Sequence, residues 1–217
     1  YWSPPYPTTP NAPATSAGRE MENTDLGLKL KSKGFLDHQV SALLDPHRFK
    51  VLVWHRRARK TSTALYHLLS HALDPNLRPA IYWFIAPSYR MAKEVVWKDP
   101  QMLFRMIPKE MIYGKNEVEL TIYLRNPRNL REKGSTIILK GADRPDLLRG
   151  SEFQGAVLDE FDIMKEEVWT DIVQPVLRVN HGWAWFLGCV SPDSLIIKKG
   201  GIAKIGKNKP GYAPSRE

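Results

Sequence analysis

Cysteine is nearly absent: Cys189 is the only one among 217 residues. A lone thiol excludes an internal disulfide framework and fits a reducing compartment. Also missing are a secretory signal and any apolar run long enough to span a bilayer, so no membrane association is expected. Acidic side chains fall short of basic ones, 23 against 32, for a net charge of +9. That imbalance favours an anionic partner, with nucleotide or nucleic acid the first guess. What is present argues against a disordered chain, since a hydrophobic content of 42% with seven Trp supplies a real core. The length suits one α/β domain with additional pieces.

The first residues are rich in Pro, Thr, Ser, Ala and Asn, and residues 1–33 read as a disordered leader. Order is expected from Gly34, with a short helix over Phe35 to Asp45 and a buried strand over Val51 to Trp54. A helix follows Thr61, with Ala64, Leu65, Leu68, Leu69, Ala72 and Leu73 on one face, and Pro75 stops it. Ala80 to Ala86 reads as a second buried strand. The alternation at Val118, Leu120, Ile122 and Leu124 predicts a half-buried strand, and Thr136 to Leu139 returns after the Asn126-Pro127 turn. Ala156 to Asp159 reads as a central strand, followed by a helix through Val168 to Val173 and a strand over Trp183 to Leu187. Strands alternating with helices predict an α/β fold with a mostly parallel sheet covered by helices on both faces.

Two segments carry chemistry. In Val51-Leu52-Val53-Trp54-His55-Arg56-Arg57-Ala58-Arg59-Lys60-Thr61, a strand delivers a basic turn to a helix start. Backbone N–H groups at such a start cradle phosphate. Lys60 would place an ammonium against β and γ phosphates, and the Thr61 hydroxyl would ligate Mg²⁺. Glycine is missing from this loop; Arg59 stands where such loops usually have it, so φ/ψ freedom and close phosphate approach are restricted. Arg56 or Arg57 is placed to reach the γ-phosphate, and spacing does not choose between them. The second segment, Gly155-Ala156-Val157-Leu158-Asp159-Glu160, ends an apolar strand in two carboxylates. Asp159 suits the Mg²⁺ shell and Glu160 the attacking water. Asp162 is expected to cap the next helix.

Read in order, Gln39, His55-Arg56-Arg57-Ala58-Arg59-Lys60-Thr61, Ala86-Pro87-Ser88-Tyr89, Asp146-Leu147-Leu148-Arg149-Gly150 and Leu158-Asp159-Glu160 resemble the large terminase subunit, the DNA-packaging ATPase of tailed bacteriophages. The likeness covers 34–188. It implies a P-loop NTPase fold of the additional-strand, catalytic-glutamate type, with ATP and Mg²⁺ as substrate and cofactor. It also implies Lys60 on phosphate, Thr61 and Asp159 on Mg²⁺, and Glu160 as catalytic carboxylate. On the same pattern Arg56 is the arginine acting in cis, Gln39 the adenine contact and Arg149 a sensor of nucleotide state. The partners implied are double-stranded DNA, a portal protein, a small terminase subunit and further copies in a ring, in the cytoplasm of an infected bacterium. A DNA contact is expected over Arg125 to Lys133.

After Phe186-Leu187-Gly188 the family pattern continues Thr-Pro, whereas this chain reads Cys189-Val190-Ser191-Pro192-Asp193-Ser194-Leu195-Ile196-Ile197. That segment resembles the N-terminal splicing block of an intein, with a hairpin expected around Gly200-Gly201. On this reading residues 189–217 are an N-terminal intein fragment and Cys189 is the splicing nucleophile, attacking the Gly188 carbonyl. Alternatives from other classes are a helicase-like nucleic-acid ATPase with an ordinary Cys189, and a nucleotide-binding scaffold with an inactive loop.

Overall fold

The computed structural model describes residues 28–55, 57–189, 195–198 and 201–204. Two compact units divide the chain, Tyr1–Pro46 and His47–Glu217.

In the first unit residues 28–32 are helical, and the rest of the leader expected over 1–33, up to residue 27, lies outside the described residues. Gly34, at φ +84°, closes that helix, and the Phe35 N–H reaches back to the Leu30 carbonyl at 3.2 Å. Helix α1 (Asp37–Leu44) follows. Gln39 sits in its first turn, and its side-chain oxygen accepts the Leu36 N–H at 3.0 Å.

The second unit is built on a seven-stranded sheet, spatial order β1-β7-β6-β2-β5-β4-β3. The strands are β1 (Phe49–Trp54), β2 (Ile81–Ala86), β3 (Ile112–Asn116), β4 (Thr121–Asn126), β5 (Asn129–Gly141), β6 (Gly155–Leu158) and β7 (Trp183–Cys189). From β1 to β5 neighbours run parallel, while β4 and β3 add antiparallel. Helix α2 (Lys60–Ala72) joins β1 to β2; α3 (Tyr89–Met91), continuing as a π-helix over Ala92–Trp97, and α4 (Leu103–Met106) precede β3. A π-helix over Val168–Val173 runs into α5 (Gln174–Val179).

Alternation sorts the side chains. Trp83, Ile85, Ala156, Leu158, Ala184 and Phe186 face Val168, Ile172, Val173 and Leu177 in one apolar cluster. The opposite residues of those strands face α2, whose Ala64, Leu65, Leu68, Leu69 and Ala72 are buried at helical spacing. On that face His67 stacks on Trp185 at 4.3 Å and meets Trp183 edge-on at 4.6 Å. Gly155 is required there, because a Cβ would stand 2.2 Å from Trp183. Helices therefore cover both faces, as the alternation of elements implied.

Three expectations are corrected. The strand over Val51 to Trp54 is not buried: β1 is an edge strand, with Val51 70% and Val53 51% exposed while Leu52 points inward. Val118 and Leu120 belong to a turn, because the Asn116 side chain accepts the N–H groups of Val118 and Glu119. Hence β4 starts at Thr121. Strand β3 has no counterpart in the expected elements, since Ile-Tyr-Gly-Lys-Asn lacks a clear period-2 signal. Leu195–Lys198 and Gly201–Lys204 (β8 and β9) pair antiparallel in a separate two-stranded sheet.

Candidate active site

Strand β1 ends at Trp54, one residue short of a tight turn in which the Ala58 N–H returns to the His55 carbonyl at 3.2 Å. His55 and Arg57 are exposed and Ala58 is buried; Arg56 lies outside the described residues, so its expected role as cis arginine has no structural description. Arg57 and Arg59 take left-handed backbone conformations, φ 71° and 59°. Arg59 thus adopts the geometry a glycine would favour, at a cost of roughly 1–2 kcal/mol for an L-residue. The loop does not need glycine to form; it accepts strain instead. Arg59 is also the N-cap of α2, and its carbonyl receives the Thr63 N–H and hydroxyl and the Ser62 hydroxyl.

Lys60 opens α2 and is buried, its ammonium donating to the Trp54 carbonyl at 2.9 Å. The chain thereby closes a ring from strand end to helix start with the cation inside. Thr61, next on the helix, donates its hydroxyl to Asp159 Oδ2 at 3.2 Å, bridging 98 positions of sequence.

Asp159 stands just beyond β6, where its N–H continues the ladder by donating to the Ile85 carbonyl at 2.8 Å. Only 7% of it is exposed. Burial, and then the charge of Glu160, push its carboxyl up from 3.8 to about 6; the Thr61 hydroxyl and the Lys60 charge pull the other way. Glu160 turns the chain in a left-handed conformation, φ 50° and ψ 48°, and remains half-buried. Such strain in a non-glycine residue is concentrated at functional sites. Lys60, Thr61, Asp159 and Glu160 therefore meet at the C-terminal rim of the parallel strands.

The donor set suits a small hard cation. A hydroxyl and a carboxylate, with the rest of the shell left to water and phosphate oxygens, is the way Mg²⁺ is usually held. A carboxylate desolvated and crowded by a second one gains most from a divalent charge.

Other expected residues are placed differently. Asp162 does not cap the following helix; it lies in the 3₁₀ turn Phe161–Ile163, and a Cβ on Gly188 would stand 3.7 Å from its Oδ1. Arg149 follows buried Leu148 and is exposed, its Nε 3.6 Å from Asp146 Oδ1. Gln39 belongs to the first compact unit. Strand β7 carries Gly188 and Cys189 into register with Val53 and Trp54, so the Gly188–Cys189 peptide lies beside the strand that enters the loop. Two participants had no signal in the residue pattern. The Trp54 and Ile85 carbonyls are main-chain groups, which any residue would supply.

The family model described as "Terminase large subunit, T4likevirus-type, N-terminal" matches residues 56–178. The large terminase subunit of Thermus phage G20c is 31% identical over 111 residues, 47% of this chain and 23% of that protein. The chain's aligned part thus spans under a quarter of that relative. The large terminase ATPase domain of Thermus phage P74-26 superposes with a TM-score of 0.57 at 24% identity, covering 71% of this chain and 65% of that one. The large terminase of another thermophilic bacteriophage, in complex with ADP, gives 0.56 at 18% identity, covering 71% and 38%. With its loop, its acidic strand end and its sheet in one arrangement, the chain belongs to the terminase large subunit family, of which it carries the N-terminal domain.

Proposed function

We propose that this chain is the ATP-hydrolysing part of a phage DNA-packaging motor. The single observation that carries the reading is the Thr61–Asp159 hydrogen bond beside buried Lys60, which gathers phosphate, metal and water functions at one rim. The N–H groups at the start of α2 bind phosphate oxygens, and Lys60 leaves the Trp54 carbonyl for the β and γ phosphates. Thr61 and Asp159 would hold Mg²⁺, which when bound would neutralise phosphate charge. Glu160 orients a water and takes its proton as oxygen attacks the γ-phosphorus and the bond to the ADP oxygen breaks. Arg56 is assigned the cis contact to the γ-phosphate, Gln39 the adenine contact and Arg149 the sensing of nucleotide state. The implied setting is the host cytoplasm, with double-stranded DNA, a portal, a small terminase subunit and a ring of copies. ADP and ATP-γ-S, each bound in a structure of a fold relative, support nucleotide binding.

The test is hydrolysis of labelled ATP by the complete protein, with fluorescent-nucleotide binding by this chain alongside. Lys60→Ala is expected to lose binding and turnover together. Glu160→Gln keeps binding but loses at least about a hundredfold in turnover, the usual contribution of a positioned base. Full turnover in Glu160→Gln would overturn the mechanism.

A second reading concerns the Gly188–Cys189 peptide. Cys189 acts as an intein nucleophile: its sulfur attacks the Gly188 carbonyl carbon, the C–N bond breaks, and the freed amine keeps the proton given up by the thiol. Support comes from the Cys-Val-Ser-Pro-Asp-Ser order and from the separate β8–β9 pair that follows it. Thiol-induced cleavage after Gly188, in a precursor that carries the whole splicing element, is expected to vanish in Cys189→Ala. Cleavage that persists there would sink the assignment.

A further inference from the structure

The antiparallel wing of the sheet holds a charge arrangement that folding by itself does not favour. Arg125 of β4 stands directly opposite Lys133 of β5. Residues in register on antiparallel strands project from one face, and like charges so placed destabilise the pair. Each is held by neighbours of its own. Arg125 donates through Nη1 to the Leu130 carbonyl at 2.8 Å and lies 5.5 Å from the centre of the Tyr113 ring. The Lys133 ammonium stands 4.1 Å from the centre of the Tyr123 ring. Glu132, the only carboxylate from Thr121 to Lys133, is held by the Asn129 side-chain amide at 2.8 Å. Two cations therefore come from paired positions of neighbouring strands, each backed by its own tyrosine, on a partly exposed surface.

The surface continues along the strands. Thr121, Tyr123 and Arg125 alternate on one face of β4, and Thr121 pairs with Ile138 of β5. Thr121, Ile138 and Lys140 line a cavity of about 540 Å³, together with Arg90 and Arg144. Glu119 and Asp143 line it as well, with Asp143 Oδ1 accepting the Tyr89 N–H at 3.1 Å. Cations outnumber carboxylates along the whole track.

We infer that this face, from Lys133 and Arg125 to the cavity edge at Lys140, Arg90 and Arg144, binds the phosphate backbone of duplex DNA. The inference rests on the packaging reading above and adds where the DNA lies. A phosphate between Arg125 and Lys133 turns their mutual repulsion into a shared attraction. Contacts to phosphate carry no sequence information, as a packaging substrate of any sequence requires.

The test is fluorescence anisotropy with a duplex of about 30 base pairs, titrated between roughly 50 and 200 mM salt, because each phosphate contact contributes about 0.9 to the slope of log affinity against log salt. In Arg125→Ser/Lys133→Ser the slope is expected to flatten by about 1.8, with affinity at least about tenfold lower at the low-salt end. Lys133→Gln alone keeps the Arg125–Leu130 bond and is expected to flatten it by about half as much. Lys165→Ser/Arg178→Ser, which removes two exposed cations elsewhere, leaves the slope near wild type. All variants keep fluorescent-nucleotide binding, which reports an intact fold. An unchanged slope in both wing variants, or an equal loss in the control, overturns the placement and leaves the motor standing. Wild-type protein that fails to bind the duplex overturns the DNA partner itself.

Discussion

Replacing Asp159 by Asn is expected to make the protein more stable while removing its metal site. The carboxyl is buried beside Glu160 and is pushed from 3.8 to about 6. Between those values the folded chain holds a proton that the unfolded chain has released, so stability falls as pH rises through the window and stays low above it. The full loss is about 3 kcal/mol above pH 6, counting about 1.36 kcal/mol for each tenfold change in proton affinity. An asparagine keeps an oxygen for the Thr61 hydroxyl and carries no charge. Urea unfolding followed by tryptophan fluorescence, without nucleotide or divalent metal, is expected to show Asp159→Asn ahead by about 2–3 kcal/mol near pH 8. The gap closes near pH 4, where both side chains are neutral. Adding Mg²⁺ with ATP near pH 8 narrows it from the other side, because only the wild type gains by binding. A variant less stable than wild type near pH 8, or a gain that does not change with pH, would refute the reasoning.

His67, carried on the buried face of α2 against the Trp183 and Trp185 rings, is lowered from 6.5 to about 2 by burial, then by His71 and Lys50. Here the unfolded state binds the extra proton, so stability drops as pH falls below 6.5, by about 2 kcal/mol at pH 5. Comparing urea midpoints of wild type and His67→Phe across that range isolates the effect; the difference is expected to shift toward the variant in acid. At Arg59, whose φ is 59°, a β-branched side chain cannot relax as glycine does. Arg59→Gly is expected to stay level with wild type or gain up to about 1 kcal/mol in denaturant unfolding, relieved strain being offset by the backbone entropy of glycine, while the β-branched Arg59→Val loses stability beyond the strain Arg59 already carries.

The phosphate loop and the acidic strand end were legible because both are local. Lys60-Thr61 follows a strand and opens a helix, and Asp159-Glu160 ends an apolar run, so each could be read within a dozen residues. The parallel order of the central strands followed from the alternation of elements. Less local features were misread. Val51 and Val53 look like core residues, but β1 lies at the sheet edge, and edge position is a property of strand order rather than of β1 itself. Val118 and Leu120 continue a period-2 pattern that the Asn116 side chain breaks by capturing two N–H groups.

By itself, the sequence determined the residue types at the site, the class of fold and the family resemblance, all of which depend on patterns within short windows. Only the tertiary structure decided that Thr61 and Asp159 touch across 98 positions, that Lys60 is held by a backbone carbonyl, and that two arginines and Glu160 turn with positive φ. It also decided that Arg125 faces Lys133, since cross-strand register is set by the pairing of whole strands around a bulge. The physical reason is common to all four: burial, field and strain depend on what lies nearby in space, and that is fixed only when the sheet closes.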